Sequence, residues 1–160
     1  MLTAIVFLPA LGALAIALLA RKDNQIRYGA LLVTGVVFAL TLILWGLLDR
    51  HDAGPQFIEK HMWIDALNVQ YFLGVDGLST PLVALTGLLG LGAVIASWSI
   101  GQRVKEYFIW LLILETGILG VFTSLDLLLF FLFWEVELLP MFMLISIWGS
   151  GRREYSAMKF

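Results

Sequence analysis

The chain has 160 residues, 61% hydrophobic and only 14% charged, against roughly 25% charged in an ordinary soluble domain. A mean hydropathy of +0.94 excludes a disordered chain and a water-soluble globule. Ten Lys+Arg against twelve Asp+Glu leave no basic excess for nucleic acid, and without cysteine there is no disulfide, Cys-bound zinc, iron–sulfur cluster or thioether haem.

A transmembrane helix needs about 20 mostly apolar residues to cross about 30 Å of hydrocarbon. The first such stretch is Leu2–Ala20, which carries no charge. It lacks the positive leader of a signal peptide, because Arg21 and Lys22 follow it, so it reads as a retained helix with its start outside. The second is Tyr28–Leu48. A long acidic loop, 49–79, comes next. Within it Leu67, Val69, Tyr71, Leu73 and Val75 alternate with Asn68, Gln70, Phe72, Gly74 and Asp76, the period of a half-buried strand. Asp76-Gly77 reads as a turn with capping chemistry. Thr80-Pro81 reads as a cap followed by a first-turn proline. His51 and His61 have no partners at metal-ligand spacing and read as solvated.

The third stretch, Pro81–Ile100, contains Gly87-Leu88-Leu89-Gly90-Leu91-Gly92. That order is wrong for a dinucleotide fingerprint. Inside a span, small residues such as Gly92 and Ala96, or Ala13 and Ala17, read as sites of close helix packing. The fourth stretch, Tyr107–Ser124, is interrupted only by Glu115, and the fifth, Leu127–Trp148, contains Glu135 and Glu137. Residues 152–160 read as the polar approach to a sixth span, so the chain is expected to be an N-terminal fragment of a larger bundle. The fold class is therefore all-α integral membrane: a polytopic transmembrane helix bundle of five spans plus the start of a sixth. It forms one membrane domain over 1–160, with a short external β element between spans two and three.

With the N-terminus outside, the inner segments hold Arg21, Lys22, Arg27, Arg103, Lys105, Arg152, Arg153 and Lys159. The outer loops hold only Arg50 and Lys60. This is a positive-inside pattern. Tyr28, Trp98, Tyr107, Trp110, Trp148 and Tyr155 fall near the inner boundary as an aromatic belt.

Ionisable groups within a span are costly and point to function. The short turn at Ser124-Leu125-Asp126 makes the fourth and fifth helices antiparallel neighbours. Glu115 and Glu135 each lie ten residues from Leu125, about 15 Å, or half the hydrocarbon thickness. At equal depth on adjacent helices they are expected to exchange a proton directly or through water. Glu135 and Glu137 are about 200° apart around the helix, so they face different partners. Glu135 ranks first, because Pro140 cannot donate to the Val136 carbonyl and frees it beside Glu135. The alternative for each carboxyl is a neutral interhelical hydrogen bond. Asp126 reads as a cap at the interface. The five spans contain no Lys or Arg, so a basic partner would come from elsewhere.

The ordered set Phe133-Trp134-Glu135-Val136-Glu137-Leu138-Leu139-Pro140-Met141, then Trp148-Gly149 and Tyr155-Ser156-Ala157-Met158-Lys159-Phe160, resembles a known family. It is similar to the antiporter-like subunit M family of the proton-pumping NADH–quinone oxidoreductase, the bacterial respiratory complex I. Leu73-Gly74-Val75-Asp76-Gly77-Leu78-Ser79, Gly120-Val121-Phe122 and Asp126-Leu127 fit the same pattern in order. The resemblance implies a proton-translocating subunit in the bacterial cytoplasmic membrane, with this chain about its first third. The family's key fifth-helix glutamate falls on Glu135, its lysine partner on the seventh helix is absent here, and Glu115 matches a fourth-helix carboxyl. Glu137 stands where members vary, and photosynthetic relatives often carry a second glutamate there. No redox centre is expected on this chain. NAD, FMN, iron–sulfur clusters and quinone are expected in partner subunits, and the partners are other membrane subunits, neighbouring antiporter-like ones above all, and lipid. The alternatives are a subunit of an Mrp-type cation/proton antiporter or membrane-bound hydrogenase, and a purely structural membrane subunit.

Overall fold

The computed structural model describes residues 1–49, 54–64 and 69–149, together with Lys159. His51, Leu67 and Asn68 lie outside the described residues, as does the segment 152–160 apart from Lys159. The described chain forms α1 (Leu2–Leu19), α2 (Asp23–Leu47), β1 (Gln56–Ile64), β2 (Val69–Val75), α3 (Ser79–Ala96), α4 (Val104–Thr123) and α5 (Leu127–Trp148). All five helices are long and apolar enough to cross a membrane. In α2 the helix begins at Asp23, not at Tyr28, where the uncharged apolar stretch begins. The Gln25 side chain accepts from the Arg21 and Lys22 amides, and Asp23 sits at the positive end of the helix dipole. Local polar chemistry thus extends the helix beyond its hydrophobic stretch.

α4 occupies the centre, packed against α1, α2, α3 and α5. Half of its span is buried, against 17% for α5, so α5 is the edge of the bundle. Its outer face shows Leu127, Phe131, Trp134 and Leu139. In the interior, the hydroxyls of Thr34, Thr86, Thr116 and Thr123 donate to carbonyls one turn back, and that of Thr41 to Phe38. Each hydroxyl is thereby satisfied without leaving its own helix. Close helix contact falls at Gly12, against Val33 of α2, and at Gly87, against Phe38 and Thr41 of α2. Gly92 is not such a contact within the described residues: among them nothing lies within 4 Å of where its side chain would start. Gly92 is five residues, about 140° of rotation, beyond Gly87 and so turns away from α2.

β1 and β2 pair antiparallel, with Lys60 opposite Phe72 and His61 opposite Tyr71. The second strand follows the alternation only in part: Val69, Leu73 and Val75 are buried as expected, but so is Gly74, and Tyr71 is half-buried like Gln70 and Phe72. Its partner gave no such signal, because a bulge between Gln56 and Glu59 breaks the period and Phe57 adopts a left-handed φ of 54°. The hairpin is stapled to α1 by Glu59. Its carboxylate accepts from the Leu2 amide at 2.9 Å and the Thr3 amide at 3.0 Å, and it also meets the Met1 amino group and the Thr3 hydroxyl. Burial opposes ionisation of Glu59, but these hydrogen bonds outweigh it and hold the carboxyl down to about 2.

Asp76 performs the capping expected of it. Its Oδ1 accepts from Leu78 N at 2.9 Å and Ser79 N at 2.7 Å, while its own amide donates to the Ser79 hydroxyl. The cap thus precedes Thr80-Pro81: Thr80 donates its hydroxyl back to the Asp76 carbonyl, and Pro81 sits in the first turn, where its missing N–H costs nothing. At the opposite end of the bundle, Tyr28 meets Trp98 edge-on with ring centroids 5.3 Å apart, and Tyr107 meets Trp148 at 5.2 Å. Trp148 donates its indole N–H to the Gln102 carbonyl. Arg27 and Lys105 donate to the Ile100 and Ala20 carbonyls there, as suits cations at the ends of helices.

Candidate proton-carrying site

The link between α4 and α5 sets the positions of all three membrane carboxyls. Leu125 N donates to the Phe72 carbonyl at 2.9 Å, which pins the turn to β2. Asp126 caps α5 as anticipated, accepting at Oδ1 from the Leu128 and Leu129 amides at 2.9 and 3.1 Å. From this anchored turn the helices run antiparallel, and two glycines of α4 form the seam. A side chain at Gly120 would strike the Phe133 ring. A Cβ at Gly117 would lie 2.9, 3.0 and 3.1 Å from Glu137 Cβ, N and Cα.

This seam decides where each carboxyl points. Glu115 is two residues before Gly117 and five before Gly120, so it lies about 170° around α4 from the contact line. It faces α3: a side chain at Gly90 would run into its carboxyl. On α5, Phe133 and Glu137 meet α4, and Glu135, midway between them in sequence, projects from the opposite face. Glu135 is accordingly exposed and Glu137 half-buried.

The equal depth anticipated from the sequence holds. Glu115 and Glu135 each lie about 12 Å from the turn-proximal end of their helix. The direct exchange anticipated from it does not. One carboxyl is beyond α4 and the other beyond α5, which puts them on the order of 15–20 Å apart. Direct transfer needs hydrogen-bond contact of about 2.6–3.2 Å, so exchange between the two would have to run through a chain of waters. Of the three residues, Glu137 is the one whose backbone and Cβ lie at the contact between the two helices.

Glu115 is 4% exposed, and neither of its oxygens has a hydrogen-bond partner among the described residues. It lines a cavity of about 290 Å³ between α3 and α4, together with Thr86, Gly90, Ala93, Leu111 and Ile118. A larger cavity of about 410 Å³ lies under the hairpin, lined by Phe7, His61, Trp63, Tyr71, Phe133 and Val136, and has no carboxyl. Among the described residues no three His, Asp or Glu side chains gather at metal-binding distance.

The comparisons with known proteins fall on this geometry. The family described as "NADH:quinone oxidoreductase/Mrp antiporter, TM" matches residues 124–160, the segment that carries Glu135 and Glu137. The NAD(P)H-quinone oxidoreductase chain 4 of Synechococcus elongatus is 45% identical over 99% of this chain and 30% of its own length. The NADH-quinone oxidoreductase subunit M of Rhodobacter capsulatus is 41% identical over 100% of this chain and 32% of its own. The chain is homologous to this subunit M family. It spans about 30% of the length of the relatives it matches. A chain of respiratory complex I from Thermus thermophilus superposes over 98% of this chain, with a TM-score of 0.80 at 24% identity. A chain of an archaeal membrane-bound sulfane sulfur reductase does so over 97%, with a TM-score of 0.76 at 21% identity. Both likenesses show the fold: a membrane helix bundle with the same arrangement of five spans.

Sequence reading missed the glycines that orient the carboxyls, Gly117 and Gly120, and took Gly90 only as part of a glycine-rich run. Gly117-x-x-Gly120 is spaced as one helix face. Read as the seam, it would have placed Glu115 on the far side of α4.

Proposed function

We propose that the chain is the N-terminal part of a proton-translocating membrane subunit of an NAD(P)H–quinone oxidoreductase, and that Glu135 is its principal proton-carrying group. The observation that carries this reading is the position of Glu135: mid-span and exposed on the open face of α5, inside the segment matched by the family. A carboxyl at that depth is not left facing hydrocarbon. It is covered by a further polar or basic membrane element, which other parts of the protein or a neighbouring subunit would supply. When electron transfer elsewhere moves that partner, the balance between charged and neutral Glu135 shifts, and a proton is taken up or released. Glu115 and Glu137 serve as secondary protonation sites.

In this reading the redox chemistry, with NAD, FMN, iron–sulfur clusters and quinone, belongs to partner subunits. The aromatic and basic end formed by Tyr28, Trp98, Tyr107 and Trp148 with Arg27 and Lys105 lies at the cytoplasmic face of a bacterial inner membrane. The hairpin and the N-terminus lie outside, and residues 49–79 form an external loop of a single membrane domain spanning 1–160. A second reading, an Mrp-type cation/proton antiporter subunit, is favoured by the description of the matched family, which covers both. Co-purification of flavin and iron–sulfur subunits with this chain supports the first reading, and their absence from an active ion-exchanging complex supports the second. Within the first, Glu135→Gln is expected to impair NAD(P)H-driven quinone reduction coupled to pumping while assembly survives.

A further inference from the structure

The buried carboxyl on the far side of the bundle from Glu135 has a setting of its own. Glu115 is enclosed, yet both its oxygens lack a hydrogen-bond partner among the described residues. Buried polar atoms in native proteins are almost always partnered, by protein or by water. Among the described residues the protein side offers little here. α3 is a continuous helix across this stretch, so its carbonyls are engaged within it. Among the described residues Glu115 is the only ionisable one in the cavity lining. The elements packed on α4 bring no charge near it: α1 and α3 carry none, α2 has Asp23 and Arg27 only in its first turns, and Glu135 and Glu137 lie across α4.

Space and chemistry for water are both present. The cavity of about 290 Å³ exceeds the roughly 30 Å³ that one water occupies. Thr86 lies four residues before Gly90 on α3, hence on the same face. Its hydroxyl donates to the Leu82 carbonyl, which leaves its oxygen free to accept from a water. Gly90 faces the Glu115 carboxyl so closely that any Cβ there would displace it.

We propose that the groove between α3 and α4 is a water-holding protonation pocket. Glu115 takes up and releases a proton there through water bonded to its carboxyl and to Thr86, and Gly90 keeps the pocket open. The inference deepens the reading of Glu115 as a secondary protonation site and rests on it only in that respect. It assigns Glu115 a route on the α3 side, separate from Glu135. Thr86 and Gly90 are positioning residues.

The test uses infrared spectroscopy of membranes carrying the assembled complex. The C=O band of protonated Glu115 is isolated as the difference between wild type and Glu115→Gln. Its shift on transfer to D₂O is then timed. The expected result is a protonated-carboxyl band that exchanges readily in wild type and roughly tenfold or more slowly in Gly90→Ala and Thr86→Val, as when a bridging water loses a link. Thr86→Val keeps the shape of the pocket, so it stays informative should Gly90→Ala fail to assemble. Absence of the band, or equal exchange in Thr86→Val and wild type, overturns the pocket. Neither outcome bears on Glu135, whose role is tested by pumping.

Discussion

The glycine seam between α4 and α5 makes a prediction whose size follows from the geometry. In Gly117→Ala the new Cβ would sit 2.9–3.1 Å from three atoms of Glu137, two of them backbone. Ordinary contact begins near 3.4 Å, so the helices must part by about half an ångström, a gap that forfeits a quarter or more of each dispersion contact along the seam. Overpacking of this kind costs about 1–3 kcal/mol, against about 1 kcal/mol gained from replacing glycine in a helix. Gly92→Ala provides the control: among the described residues nothing lies within 4 Å of its new Cβ, so it takes the propensity gain alone. The two variants should therefore differ by about 1–3 kcal/mol, with Gly117→Ala the less stable. Denaturation midpoints of the purified full-length protein in mixed detergent micelles measure this. Equal midpoints would refute the seam, and with it the opposed directions assigned to Glu115 and Glu135.

Three further outcomes follow from the same geometry. Asp126→Ala removes the cap of α5 and should cost about 1 kcal/mol, read as faster hydrogen exchange at the Leu128 and Leu129 amides; unchanged exchange there would dismiss the cap. Glu59 is held down to about 2 in the folded protein, below the ordinary carboxyl value of about 4.3. Its contribution to hairpin docking is therefore complete above that ordinary value and is lost as pH falls toward 2. Thermal midpoints of wild type and Glu59→Gln should differ at pH 7 and converge at about pH 2, and a gap that persists in acid contradicts the staple. Glu115→Gln and Glu135→Gln should act independently, because groups this far apart couple by less than about 0.5 kcal/mol. A double variant no worse than the worse single one would argue for direct exchange between them.

Much of the fold was legible because the bilayer imposes a simple rule on hydropathy. Five spans could be placed to within a few residues, and Asp76 and Asp126 announced their caps by local chemistry. β1 stayed hidden because its bulge destroys the alternation, and the early start of α2 because polar residues that cap a helix look like loop. For the site, depth was legible and direction was not. Counting residues from Leu125 gives the height of Glu115 and Glu135 correctly. Their azimuth depends on which face of α4 meets α5, and that is set by Gly117 and Gly120, residues with no side chain to draw notice.

Glu135, on the open face of α5, is proposed as the carrier of the transported proton. That role is tested most directly by NAD(P)H-driven proton pumping in membrane vesicles bearing full-length protein with Glu135→Gln, normalised to the amount of assembled complex. Strongly reduced pumping with assembly intact is expected. Pumping at the wild-type level in the assembled variant would contradict it and make Glu135 a packing residue.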